Sequence, residues 1–374
     1  MSEKEQILQP LNKNFKEPYT QCKIGQLFDI YRGKGLCKDD VSENGNECIL
    51  YGQLYTEYLN QINKITLKTN KDINNPVVSK KGDIILPGSG ESKYDISNSA
   101  VVPYGGIIYG GDLIILRSKK EIDSLYFSYY ITNKLKKQIY RISQGVSIIH
   151  LPIEDLSKIK MIYPSIELQK KLSNFLLLLD KKVDIIKRKI DILKKYKRGL
   201  IKHLLSNGIK TEKFINYIEN ISKTSFSSSD GKDKGKYPFY VNSTDGSCKF
   251  IDSYTHEGKY LILNTGGQAF TQISEEKFSA MADNLIIKVN KNLYGVYYYL
   301  KGNEARINYV GFQGTGIKHL DQNWLKRQYV ILPFISEKKI EALENSTNSI
   351  IKLLEGKLKK LHLLKMQLMK DLFI

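Results

Sequence analysis

The stretch GDIILPGSGESK sets Asp83, Glu91 and Lys93 in the order used by metal-dependent nucleases, two carboxylates and a lysine around a divalent cation and a water. Short acid-x-lysine strings also recur by chance. This one lies in a Gly/Ser loop and not on a clear strand, so these residues are expected to be non-catalytic. His150 and His319 each stand before a leucine, with no Ser, Cys or carboxylate patterned beside them, and read as hydrogen-bonded turn residues. The Asn/Asp-Pro-Pro-aromatic word of an adenine methyltransferase is missing, since NNPVV at 74–78 lacks the second proline and the aromatic. No GxxxxGK[ST] phosphate loop occurs either. Cys22, Cys37, Cys48 and Cys248 have neither CxxC spacing nor clustered histidines, so no metal site is expected and the thiols read as reduced.

The remaining candidates are polar side chains in glycine-flanked loops. They are Tyr51, Gln53, Tyr55, Thr56, Ser89, Glu91, Ser92 and Lys93 in the first half of the chain. In the second half they are Asn242, Ser243, Thr244, Gln268, Thr271 and Gln272. Gln and Asn can pair bidentately with adenine, and Lys with guanine or a phosphate, so reading bases in duplex DNA is the chemistry these types suit. Gln144 and Gln313 recur at matching places. Two halves that read different bases would not share a reading residue, so these two are expected to hold a turn or a phosphate.

Lys194, Lys195, Lys197 and Arg198 form a basic cluster that could lie over phosphates; a solvated helix face is the competing reading. The chain of 374 residues carries a net charge of +19, which points to an acidic partner, nucleic acid ahead of a membrane surface. No apolar run approaches the length of a membrane span, and the polar start MSEKEQILQP is unlike a targeting segment, so the expected location is the cytoplasm.

The elements that must position these residues are written twice. Sliding the sequence by 168 residues lays LYGVYYY at 293–299 over LYFSYYI at 125–131, and QGTGIKHL at 313–320 loosely over QGVSIIHL at 144–151. Pro333 falls near Pro164, and behind each proline runs a long Leu/Ile/Lys-rich segment. The first seam reads Leu172, Phe175, Leu179, Val183, Ile186, Ile190, Leu193, Leu200 and Leu204; the second repeats it from Ile340 to Leu372, with Thr347 alone in place of an apolar residue. The alternating steps of three and four are those of a coiled coil, and both seams are interrupted at one place, by Lys197 and Lys365. Short apolar runs broken by Gly, Asn, Asp and Ser predict strands and turns ahead of each helix. The tyrosine-rich words predict helix faces packed on a sheet.

The expected architecture is α+β, with two mixed α/β domains separated by two long antiparallel coiled-coil helices in pseudo-twofold relation. Its boundaries are an arm at 1–18, a first domain at 19–163, a helix at 164–206, a second domain at 207–332 and a helix at 333–374. A helix of about 38 residues would run roughly 57 Å and act as a ruler between the domains. Apolar residues outside the seam, Leu176, Leu177 and Ile192 in one helix and Leu353, Leu363 and Met366 in the other, are expected to face a protein partner.

This order of parts resembles the specificity subunit of type I restriction–modification systems. The words that carry the likeness are YGQLYTEY at 51–58, GDIILPGSGE at 82–91, GGDLIIL at 110–116, the two QG…HL turns and PSIELQKKLSNFLLLLD at 164–180. The second copy departs from it, with SEKKI in place of the usual Glu-Gln start and no obvious partner for YGQLYTEY. The resemblance implies a non-catalytic subunit whose two target recognition domains read a split DNA site across an unread spacer. It implies double-stranded DNA and two methyltransferase subunits as partners, with restriction/translocase subunits bound through them. S-adenosylmethionine, ATP and Mg would then belong to the partner subunits, and no cofactor to this chain. Competing readings are the specificity subunit of a related system with a fused methyltransferase–nuclease partner, a self-sufficient nuclease, and a coiled-coil scaffold.

Overall fold

The computed structural model describes residues 19–92, 96–316 and 318–373; the arm at 1–18 lies outside them. The chain forms two compact units, one of residues up to Ile185 together with those from Lys357 onward, the other Ile186–Gly356. Each unit therefore holds one globular domain with part of both long helices.

In the first unit the apolar runs become a four-stranded sheet in the order Phe28–Arg32, Leu113–Ser118, Ile84–Pro87, Ala100–Val101. Period-two alternation sorts its side chains into two cores. Ile84, Leu86, Ile114 and Leu116 pack with helix α1 (Ser124–Asn133) on one face. Ile85, Leu113 and Ile115 meet Ile49, Leu54 and Tyr109 on the other. Both faces are covered, which is why ILP and LIIL read as unbroken apolar runs. Three further strands, Leu67–Thr69, Asn46–Ile49 and Ile108–Tyr109, form a second small sheet that includes one parallel pair. Helix α1 is capped by Asp123, whose carboxylate accepts from the Tyr126 N–H at 2.7 Å. It buries Tyr126, Tyr129 and Tyr130.

The second unit repeats this plan strand for strand. Its four-stranded sheet runs Ile218–Ser222, Asn284–Val289, Tyr260–Asn264, Thr271–Ser274, and its small sheet Cys248–Ile251, Tyr237–Tyr240, Ser279–Ala280. Each domain is closed at its base by an antiparallel pair, Thr20–Lys23 with Lys160–Tyr163 and Ile209–Lys213 with Tyr329–Leu332.

Between the two domains in sequence runs helix α2 (Ile166–Ser206). In the second domain, helix α3 (Leu293–Gly302) takes the place of α1 and buries Tyr294, Tyr297, Tyr298 and Tyr299. Helix α4 (Glu337–Leu372) closes the chain. Their partners run in opposite order within the second unit. Lys194 of α2 bonds Glu355 of α4, Lys197 bonds Glu344, and Ile201 shares a core with Ile340, so the helices are antiparallel there. In the first unit Leu168, Leu172, Leu176 and Leu179 pack with Leu368 and Leu372. One expectation is corrected here: Leu176 is 0% exposed, because it lies in this core and not on the outer face. Leu177 is half-buried, whereas Ile192, Leu353, Leu363 and Met366 are exposed.

Candidate nucleic-acid interface

In the first domain the candidate residues gather at one end of the small sheet. Strand Asn46–Ile49 runs through a turn that exposes Tyr51 into a one-turn helix, Gln53–Thr56, that exposes Thr56. The Tyr55 hydroxyl donates to the Ser89 carbonyl at 2.5 Å, pinning this turn to the glycine-rich loop that follows strand Ile84–Pro87. Tyr51 and Thr56 line an open cavity of about 880 Å³ with Leu36, Lys38 and Asp112. Gln53 also borders it, but its amide is engaged internally. Its oxygen accepts from the Leu50 N–H at 3.1 Å, and its nitrogen donates to Glu57, Tyr58 and Thr66. It therefore shapes the loop instead of presenting a free amide to a base. Ser89 is buried and Glu91 exposed, and Ser92 is half-buried; Lys93 lies outside the described residues.

The QG…HL words close hairpins beside these loops. The backbones of Gln144 and His150 exchange hydrogen bonds at 2.9 and 2.7 Å. Strand Ile149–His150 then pairs with Ser89–Gly90. Gly145 has φ +114°, and a Cβ there would overlap the Ile148 carbonyl oxygen, so the turn requires glycine. In the second domain Gln313 pairs with His319 and Gly314 has φ +130°. The two shared glutamines hold turns by their backbones, while their side chains remain exposed.

Of the Asp83–Glu91–Lys93 string, which was expected to be non-catalytic, Asp83 is built into the fold. Asp83 is 2% exposed and accepts from Arg117 Nε and Nη2 at 2.9 and 2.7 Å, from the Tyr109 hydroxyl at 3.0 Å and from the Lys80 N–H at 2.8 Å. Both of its oxygens serve the fold. Among the described residues no group of three His, Cys, Asp or Glu could hold a metal ion.

The second domain brings seven of the sequence candidates together. Lys194, Lys195, Lys197 and Arg198 of α2 face Thr244, Thr271 and Gln272 across a cleft of about 620 Å³. The four cations differ in what they already hold. Lys194 bonds Glu355 at 3.0 Å, and Lys197 bonds Glu344 and, at 2.9 Å, Asn348. Lys195 and Arg198 have no ion pair among the described residues and are exposed. Lys301, which the sequence did not single out, enters the cleft from the end of α3. It lies 3.4 Å from the Phe270 ring centre and donates to the Thr271 carbonyl at 3.1 Å and to Glu304 at 2.9 Å. Burial lowers its pKa below the usual lysine value, with Glu304 acting in the opposite sense. Among the described residues, the Thr271 hydroxyl and the Gln272 amide nitrogen are buried and have no hydrogen-bond partner. Asp245, on the rim, is held well below the usual carboxylate range by the hydroxyls of Ser243 and Ser247 and by the Ser247 N–H. Asn242, Thr244 and Gln268 are exposed nearby in sequence, and Ser243 is half-buried.

Arranged this way, the surface can take phosphates at Lys195 and Arg198 and offer amide and hydroxyl groups from adjoining loops. The family model for the type I restriction modification DNA specificity domain matches residues 16–195 and again 212–363. The type I restriction enzyme MjaVIII specificity subunit of Methanocaldococcus jannaschii is 27% identical over 198 residues, 52% of this chain and 43% of that protein. The putative MjaX specificity subunit of the same organism is 24% identical over 294 residues, 68% of each. The first match thus spans less than half the length of that relative. Among solved structures, the crystal structure of a type I restriction-modification system S subunit from M. genitalium aligns with a TM-score of 0.65 at 17% identity. That alignment covers 96% of this chain and 97% of the other, a likeness of fold.

Proposed function

The chain belongs to the type I restriction modification DNA specificity family, and from that premise we propose that it is the DNA-reading subunit of a restriction–modification complex. Its target is bipartite, one element for each domain, separated by base pairs that neither domain reads. The single observation that supports this best is the duplication. The same strand order, tyrosine helix and glycine turn occur twice, each time followed by a long helix, while the loops at the reading positions differ.

Within this reading, loop side chains such as Tyr51 and Thr56 in the first domain, and Asn242, Thr244 and Gln268 in the second, reach base edges. Lys195 and Arg198 take backbone phosphates, which fixes register and carries no sequence information. Methyl transfer, ATP-driven translocation and cleavage belong to partner subunits that bring S-adenosylmethionine, ATP and magnesium. Exposed apolar side chains on the long helices, Ile192 and Leu353 in the second unit and Leu363 and Met366 in the first, suit a protein partner. The duplication suggests two methyltransferase subunits, with restriction subunits joined through them. No helix among the described residues is long and apolar enough to cross a membrane, and the expected compartment is the cytoplasm.

The test is selection of random duplexes by the chain in complex with its methyltransferase. Two fixed sequence elements at one constant separation are expected. A single uninterrupted element, or no sequence preference, would contradict the reading.

A further inference from the structure

The shared interruption of the two seams has a structural counterpart. In the second unit the ammonium of Lys197, on α2, bonds Glu344 on α4, and the other oxygen of Glu344 accepts from the hydroxyl of Tyr298 on α3 at 3.0 Å. In the first unit Lys365, on α4, bonds Asp180 on α2, and the other oxygen of Asp180 accepts from the hydroxyl of Tyr129 on α1 at 2.6 Å. Lys365 also lies 5.5 Å from the Tyr129 ring centre. Each carboxylate therefore joins three elements: the long helix that bears it, the other long helix, and the buried tyrosine helix of a recognition domain. The lysines and Asp180 are partly exposed, and the other groups are enclosed. Glu344 is 2% exposed, and Tyr129 and Tyr298 are 1% exposed.

Inheritance from a duplicated ancestor accounts for part of this, since Lys197 still bonds Asn348, the repeat counterpart of Asp180, at 2.9 Å. The lysines sit 168 positions apart, as the repeat requires, but the acids do not. The counterpart of Asp180 is Asn348, and the working acid of the second unit is Glu344, one helical turn earlier. The acid has changed position and length, and the tyrosine has moved by one residue (Tyr298 is the counterpart of Tyr130), while the lysine–acid–tyrosine connection has been kept. An apolar seam tolerates rotation and slippage, whereas a single enclosed polar contact has a definite partner and direction and so fixes register.

We propose that Lys197 and Lys365 are positioning residues that set how each recognition domain is seated on the helix pair, and thereby how strictly the spacer of the DNA target is enforced. This rests on the bipartite reading above. Neither lysine has to touch DNA for the effect; each acts through an acid and a tyrosine.

The experiment uses the full chain coexpressed with its methyltransferase, carrying Lys197→Met, Lys365→Met, or the conservative Lys→Arg at each. Tyr129→Phe and Tyr298→Phe remove only the hydroxyl and guard against loss of folding. Sequencing of methylated sites reads the half-site sequences and the distribution of spacer lengths, and thermal melting is followed alongside. Wild type should hold one spacer. The Met variants should methylate sites with a spacer one base pair longer or shorter about tenfold more often relative to the correct spacer, the ratio that losing one charge-assisted hydrogen bond corresponds to. The Phe variants should move in the same direction by less, the Arg variants should restore strict spacing, and half-sites should be identical throughout. An unchanged spacer distribution in the Met and Phe variants, even with a lowered melting temperature, would reduce these contacts to plain stabilisation and overturn the proposal. A wild-type target without two separated elements would instead overturn the bipartite reading.

Discussion

Replacing Lys195 and Arg198 together by glutamine should flatten the salt dependence of DNA binding without altering base preference. The reason lies in the different engagements of the four clustered cations. Lys194 and Lys197 already neutralise Glu355 and Glu344, whereas Lys195 and Arg198 have no ion pair among the described residues and border the cleft. Each phosphate neutralised by a side chain contributes about 0.9 to the slope of log K against log salt on duplex DNA. Losing two such contacts should lower the slope by roughly 1.8. Between 50 and 200 mM salt, wild type should therefore lose about twelvefold more affinity than the double variant. Fluorescence anisotropy with cognate and scrambled duplexes, titrated at four or more salt concentrations, measures this directly. The drop in slope should be the same for both duplexes, since phosphates carry no sequence. Lys194→Gln, which removes a cation already paired with Glu355, should leave the slope nearly unchanged. An unaltered slope in the double variant, or one altered only for the cognate duplex, would refute the assignment of these two side chains to phosphates.

Three further outcomes follow from single residues. Asp83→Asn removes the carboxylate facing the half-enclosed Arg117 and should cost about 3 kcal/mol by urea denaturation; a folded, fully stable variant would show that the ion pair is not structural. Gly145→Ala forces a side chain into a left-handed turn against Ile148, and should cost about 1–3 kcal/mol in the same assay. Asp40 is held at about 2, first by the Cys37 thiol and N–H and then by Lys71. Because its folded value lies below the ordinary carboxylate value of about 3.9, its contribution is complete above that pH and fades as pH falls through the folded value. Wild type should thus lose melting temperature between about pH 4 and pH 2 by more than Asp40→Asn does.

The architecture was legible in the sequence because repetition and periodicity survive where individual words do not. Matching seams, the two tyrosine words and the two QG turns all mark buried or sterically restricted positions, and those are the positions where packing dictates residue type. Even the interrupting lysines were visible, although not what they bind, since Asp180 and Glu344 are out of step by one helical turn. The site was less legible. Gln53 has the right chemistry for adenine, yet four internal hydrogen bonds occupy its amide, and only the folded loop reveals that. Lys301 closes a tyrosine-rich helix and carried no signal in the sequence; its place over Phe270 depends on a segment thirty residues earlier. The missing second copy of YGQLYTEY has a plain cause. The paired strands that flank it are joined by residues 50–66 in the first domain and by the much shorter 241–247 in the second, so there is no helical turn to match.

The central claim, that this chain chooses a split DNA target for a methyltransferase, is tested most directly by mapping methylated adenines across host DNA with and without its gene. With the gene, one bipartite motif of two fixed elements and a constant spacer should be methylated throughout the genome; without it, that motif alone should lose its methylation. An unchanged pattern of methylated sites in the two strains would contradict the claim.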